Sequence, residues 1–149
     1  MAAELAEIIA DFPRGHLHLV GHSNGCALIA RALTLSSRPV ASLHLISAAM
    51  DRDFRKNGLG ARIAREQIDR TYCYCSRGDK VLTWLAPFSR AATLGLAGYG
   101  DLGAKGPADP HPPRLGVHWD DTMGHGDWFL PENFDQTMRL VHANAVATQ

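Results

Sequence analysis

Net charge is the first thing this sequence lacks. Fifteen basic and fifteen acidic side chains balance to a formal charge of zero over 149 residues, so nothing in the composition draws the chain to nucleic acid or to an anionic membrane surface. Long apolar runs are missing too. No stretch approaches the ~20 consecutive apolar residues that cross a bilayer, and no membrane span is expected. The opening MAAELAEIIADF carries acids where a secretory leader carries lysine or arginine, which makes the cytoplasm the expected location. Cysteine is scarce: Cys26, Cys73 and Cys75 cannot all pair within the chain. The last two alternate along an apolar run, on one face of a strand, instead of taking the C-x-x-C spacing of a redox or zinc site. They are read as reduced core residues. No internal repeat and no linker divides the chain, and its length suits one domain, 1–149, that buries roughly 70% of the surface its unfolded chain exposes.

What is present is a repeated switch between two hydrophobic periods. Leu5, Ile8, Ile9 and Phe12 are spaced as on a helix over Ala2–Phe12, closed by Pro13 and Gly15. His16–Val20 alternates and predicts a strand; Asn24–Leu35 is helical, and Val40–Ser47 is a second strand after the Ser-Ser-Arg-Pro breaker. Asp51–Arg70 is dense in charge and reads as a solvated helical connection. Thr71–Cys75 predicts a third strand, Ser76–Lys80 a turn, and Val81–Leu96 a helix interrupted at Pro87. Gly95–Pro113, rich in glycine and proline, predicts a surface loop. Leu115–Trp119 is a fourth strand, and Asn133–Ala143 a last helix entered at Pro131 or Glu132. Strands alternating with helices predict an α/β fold of about four mainly parallel strands with helices on both faces. Ligands of such sheets bind beyond the C-terminal ends of the strands.

At that end of the first strand stands Gly21-His22-Ser23-Asn24-Gly25, which matches G-x-S-x-G. The pattern alone is only suggestive, but a strand directly before it and a helix directly after it are the context a nucleophile elbow requires. Gly21 and Gly25 would relieve crowding on either side of the turn. A serine hydroxyl needs a base, most often a histidine oriented by a carboxylate. Asp79 follows the third strand and His125 the fourth, so both would project from the same sheet edge as Ser23, in the order Ser, Asp, His.

On these residues the chain resembles the α/β-hydrolase superfamily, specifically the second half of that fold from the elbow onward. The resemblance implies Ser23 as nucleophile, Asp79 as acid, His125 as base and the Asn24 amide as an oxyanion donor. It also exposes a departure: only about fifteen residues precede the elbow strand, where members of the superfamily carry several strands and the loop that supplies a second oxyanion amide. The missing strands would leave His16–Val20 as an uncovered edge. A twofold homodimer pairing this strand antiparallel with its copy is therefore expected, or else a partner chain that supplies the missing half.

Each residue has a plainer reading. Ser23 could be a helix N-cap, His125 a loop histidine, and Asp79 a turn residue with Asp120 and Asp121 as rivals for the acid. His16, His18, His22 and His44 could be imagined around a metal, but they lack common zinc spacing and read better as bonded core histidines. Cys-free and cofactor-free chemistry is expected, with no cofactor and no metal. His22, Tyr99, Trp128 and Phe129 are expected to line a substrate pocket. Together these readings point to a serine hydrolase of esterase or lipase type acting on a small acyl substrate. The alternative is a non-catalytic binding or assembly domain that keeps the elbow and lacks the first half of the fold.

Overall fold

The computed structural model describes residues 1–13, 16–85, 100–108, 112 and 114–146. Its centre is a sheet of four strands, β1 (His18–His22), β2 (Val40–Ile46), β3 (Ile68–Cys75) and β4 (Leu115–Trp119). They lie side by side in chain order and all run parallel. The helices are α1 (Ala2–Asp11), α2 (Asn24–Leu35), α3 (Leu59–Ala64), α4 (Lys80–Leu85), α5 (Leu102–Lys105) and α6 (Pro131–Val146). This is the α/β architecture that the alternation of periods predicts.

Parallel neighbours laid down in chain order need crossovers of one hand, which places the connecting helices on one face. That face carries the main core. Leu43, Leu45, Cys73 and Cys75 pack there under Ala6 and Ile9 of α1, Cys26, Ile29 and Leu33 of α2, Leu59 and Ile63 of α3, and Leu102 of α5. All three thiols are free and buried, and burial pushes Cys26 and Cys75 up to about 12. The opposite face is left to α6, whose Val141 joins Ile46, Tyr74 and Trp128. No described helix is long and apolar enough to cross a membrane.

Several boundaries move, each for a tertiary reason. β1 runs over His18–His22 instead of His16–Val20, because Gly21 and His22 stay in register with Leu45 and Ile46. β3 starts at Ile68, which pairs with Val40 and carries the strand through the charged Asp69 and Arg70. The Asp51–Arg70 stretch is not a solvated helix. Only Leu59–Ala64 is helical, Phe54, Leu59 and Ile63 are buried, and Arg52 and Arg62 donate to the carbonyls of Gly106 and Ser36. The Gly95–Pro113 stretch is not wholly a surface loop, since it contains α5 with Leu102 and Ala104 buried. The helix expected to reach Leu96 is described as far as Leu85, and residues 86–99 lie outside the described residues.

The α6 face holds a polar chain that runs obliquely across the strands. His18 Nδ1 lies 2.7 Å from Ser42 Oγ, Ser42 Oγ 2.8 Å from His44 Nε2, and His44 Nδ1 2.8 Å from the Tyr74 hydroxyl. Asn144 of α6 donates to that hydroxyl at 3.0 Å. One direction satisfies every member: Asn144 to Tyr74, Tyr74 to His44, His44 to Ser42 and Ser42 to His18. It requires a neutral His44. Burial, and secondarily the neighbouring His18, hold His44 at about 4.

A histidine with a depressed folded pKa stabilises the fold fully above its unfolded value near 6.5 and loses that contribution as pH falls towards the folded value. The expected loss from His44 between pH 7 and pH 4 is on the order of 3 kcal/mol. His22 is also lowered, chiefly by burial, and acts with the same sign. Urea unfolding of His44→Gln at pH 7 and pH 4.5 should therefore show a clearly shallower pH dependence than the parent chain; equal slopes would contradict this assignment.

Candidate active site

The site begins where β1 hands over to α2. Ser23 occupies the one residue of turn between them, at φ 52 and ψ −124, a conformation costing a non-glycine residue about 1–3 kcal/mol. Its backbone is held on three sides. The Ser23 N–H donates to Ile46 O at 3.0 Å, and its carbonyl accepts from the amides of Cys26 and Ala49 at 3.1 and 3.2 Å. These bonds, together with the stacking of α2 on the strand, maintain the strained turn. The stacking explains Gly21, where a Cβ would come within 2.9 Å of Ile29 Cδ1 and 3.1 Å of the Cys26 backbone. Gly25 has no such reason: a Cβ there would meet nothing within 4 Å. The expectation that crowding demands both glycines is corrected for Gly25, because α2 carries that position away from the strand.

Ser23 does not cap α2 with its side chain. Its Oγ lies instead 2.8 Å from His125 Nε2, and His125 Nδ1 lies 2.8 Å from Asp79 Oδ2. The three residues named from the sequence are thus one hydrogen-bonded chain. Its direction follows from the partners: a carboxylate only accepts, so Nδ1 carries the proton and Nε2 is free to accept from the serine hydroxyl.

Asp79 is fully buried and uses its two oxygens separately. Oδ1 accepts the Leu82 amide at 2.9 Å, capping α4, and Oδ2 holds His125. Burial opposes its charge, but the hydrogen bonds from His125 and Leu82 outweigh that, leaving the carboxyl below its usual range. The buried Ser47 hydroxyl lies close enough to pull in the same direction, although it has no well-formed hydrogen-bond partner among the described residues. The rival acids are engaged elsewhere. Asp121 pairs with Arg77 at 2.6 Å, and Asp120 accepts from Thr122.

The loop bearing His125 is fixed from three directions. Ser76 Oγ donates to Met123 O, Asp127 accepts the Gly124 amide at 2.7 Å, and His22 Nε2 donates to His125 O at 2.8 Å. The His22 ring also lies 5.1 Å from that of His125 and 5.0 Å from that of Phe129. Asn24, first in α2, is exposed and its amide has no acceptor among the described residues, as expected at a helix start.

No family model, curated protein or solved structure matches this chain. What can be said of the site therefore rests on its own geometry.

Of the expected pocket residues, His22 and Phe129 do border the site. Trp128 does not: it is 1% exposed and packs against Tyr74 and His118 on the α6 face, so it is core. Tyr99 lies outside the described residues. The histidines imagined around a metal are divided: His18 and His44 belong to the polar chain on the sheet, and His22 belongs to the Ser23 site. Ser47, Ser76 and the His22-to-carbonyl bond were not foreseen. Only Ser47 and Ser76 had a signal, since each immediately follows a strand at the ligand-binding end of the sheet.

If strain is stored at Ser23, glycine should release it. Ser23→Gly is expected to be more stable than Ser23→Ala by about 1 kcal/mol in denaturant unfolding, because alanine keeps the penalty and glycine does not. Equal stability of the two variants would show that the turn is unstrained.

Proposed function

We propose that this chain is a serine hydrolase of esterase or lipase type, built on an α/β-hydrolase-like sheet, that cleaves carboxylic esters or related acyl compounds. The observation that carries the reading is the choice made by the Ser23 hydroxyl. A capping serine would bond the α2 amides, whereas this one meets an imidazole whose far nitrogen is held by a buried carboxylate. In the proposed mechanism His125 takes the Ser23 proton as Oγ attacks the acyl carbon. Asp79 stabilises the imidazolium that forms, and the Asn24 amide receives the developing oxyanion. His125 then returns the proton to the leaving oxygen, and a water activated by the same imidazole cleaves the acyl-enzyme. No cofactor is invoked.

The same reading covers assembly and location. β1 is the edge of the sheet. Ala41 N bonds Leu17 O and Ser23 N bonds Ile46 O, so by alternation the N–H and C=O groups of His18, Val20 and His22 face away from β2. Val20 is 40% exposed. We assign this edge to an antiparallel pairing with a second copy, centred on Val20, in a twofold dimer. Three unpaired thiols fit a reducing compartment, the cytoplasm.

Intact mass after treatment with a fluorophosphonate tests the activity. One adduct is expected on the parent chain, none on Ser23→Ala, and labelling slower by roughly 10³- to 10⁴-fold on Asp79→Asn, which removes the carboxylate that orients and stabilises the imidazole. An unlabelled parent chain would favour the binding-domain alternative. Mass in solution tests the dimer. The parent chain should be dimeric at micromolar concentration and Val20→Pro monomeric yet folded, since proline removes only an N–H that β2 does not use.

A further inference from the structure

We infer that the leaving group of the substrate, the alcohol part of the ester, is apolar and lies along a track formed by His22, Phe129 and Phe134. This inference rests on the hydrolase reading and goes beyond it by assigning a chemical class to one side of the scissile bond.

The direction comes from the positions of the proton donor and the oxyanion donor. The leaving oxygen must come within ~3 Å of His125 Nε2 to receive its proton, whereas the oxyanion must point at the start of α2. The bond to the leaving group therefore runs across the imidazole, and the alcohol part continues over whatever borders that ring. Bordering it is the ring of His22, with centroids 5.1 Å apart. Phe129 meets His22 edge-on at 5.0 Å, and Phe134 follows at 6.3 Å. Four ring systems thus form a continuous path from the base to the first turns of α6.

The path is open and uncharged. Phe129 and Phe134 are 38% and 43% exposed, and Leu130 between them in the chain is 41% exposed. Contiguous apolar side chains left in water beside a nucleophile mark a surface meant to be covered. Burial lowers the His22 pKa and so disfavours a positive charge on that ring. Trp128, by contrast, is buried beneath the sheet face, which explains why adjacent aromatic residues in one tripeptide have different roles.

The test uses acetate esters of primary alcohols, ethyl through octyl, in which the reactivity of the leaving group is nearly constant. kcat/KM should rise about twofold per added methylene on this half-open surface, roughly tenfold or more from ethyl to hexyl. A matching series of ethyl esters with acyl groups from acetyl to octanoyl should rise far less. Phe134→Ala should flatten the alcohol series, Phe134→Leu should restore much of it, and Leu35→Ala, at the far end of α2, should leave the preference as it is. Fluorophosphonate labelling of Ser23 is run alongside. A labelled protein with a flat alcohol series, a steeper acyl series, or no turnover of any ester overturns the leaving-group assignment alone. Absence of labelling overturns the hydrolase reading and this inference with it.

Discussion

The in-register parallel ladder is the constraint on which the rest depends. His22 is level with Ile46, Ile46 with Tyr74, and Cys75 with Trp119, so all four strands release their chains at one edge. Adjacent strands lie ~4.8 Å apart, which sets Ser23 about 10 Å from the turn that bears Asp79, two strands away. An imidazole with a hydrogen bond at each end is of the right length to bridge that gap. The histidine, however, follows the outermost strand, farther from Ser23 than Asp79 is. Its loop must fold back over the sheet end, and the buried Trp128, the Ser76-to-Met123 bond and the His22-to-His125 bond keep it there.

Among the described residues, two side-chain hydrogen-bond chains have different physical roles. Across the α6 face, His18, Ser42, His44, Tyr74 and Asn144 form a chain in which each bond has one donor and one acceptor when His44 is neutral. Buried polar groups are tolerable only when satisfied in this way. The second chain, Asp79, His125 and Ser23, ends at a half-buried hydroxyl beside an unoccupied amide and holds its serine in a strained backbone. The first supports the core, whereas the second accepts local instability that the α2 packing and the β2 ladder offset.

Much of the fold was legible because its signals are local. The Asn24–Leu35 helix and the Leu115–Trp119 strand appear at the predicted residues, since periodicity, breakers and flanking glycines all agree there. Ser23, Asp79 and His125 were legible for a related reason: each follows a strand, and parallel strands send the residues that follow them to one edge. Misreadings occurred where tertiary packing overrode local character. Asp69 and Arg70 look like helix surface, but pairing with β2 makes them strand. Leu102 and Ala104 sit in a glycine-rich stretch, yet they are buried against the sheet.

The sequence by itself determined the alternation of elements, the parallel sheet and the three residues that meet at its end, because hydrophobic period and chain order constrain these strongly. It did not determine which way each side chain turns. That Ser23 bonds His125 and leaves α2 uncapped, that Asp79 divides its oxygens between α4 and the imidazole, and that Trp128 is buried while Phe129 stays exposed depend on contacts between residues up to a hundred positions apart. Such contacts are set by register, stacking distance and the satisfaction of buried polar groups, and these exist only once the chain has folded.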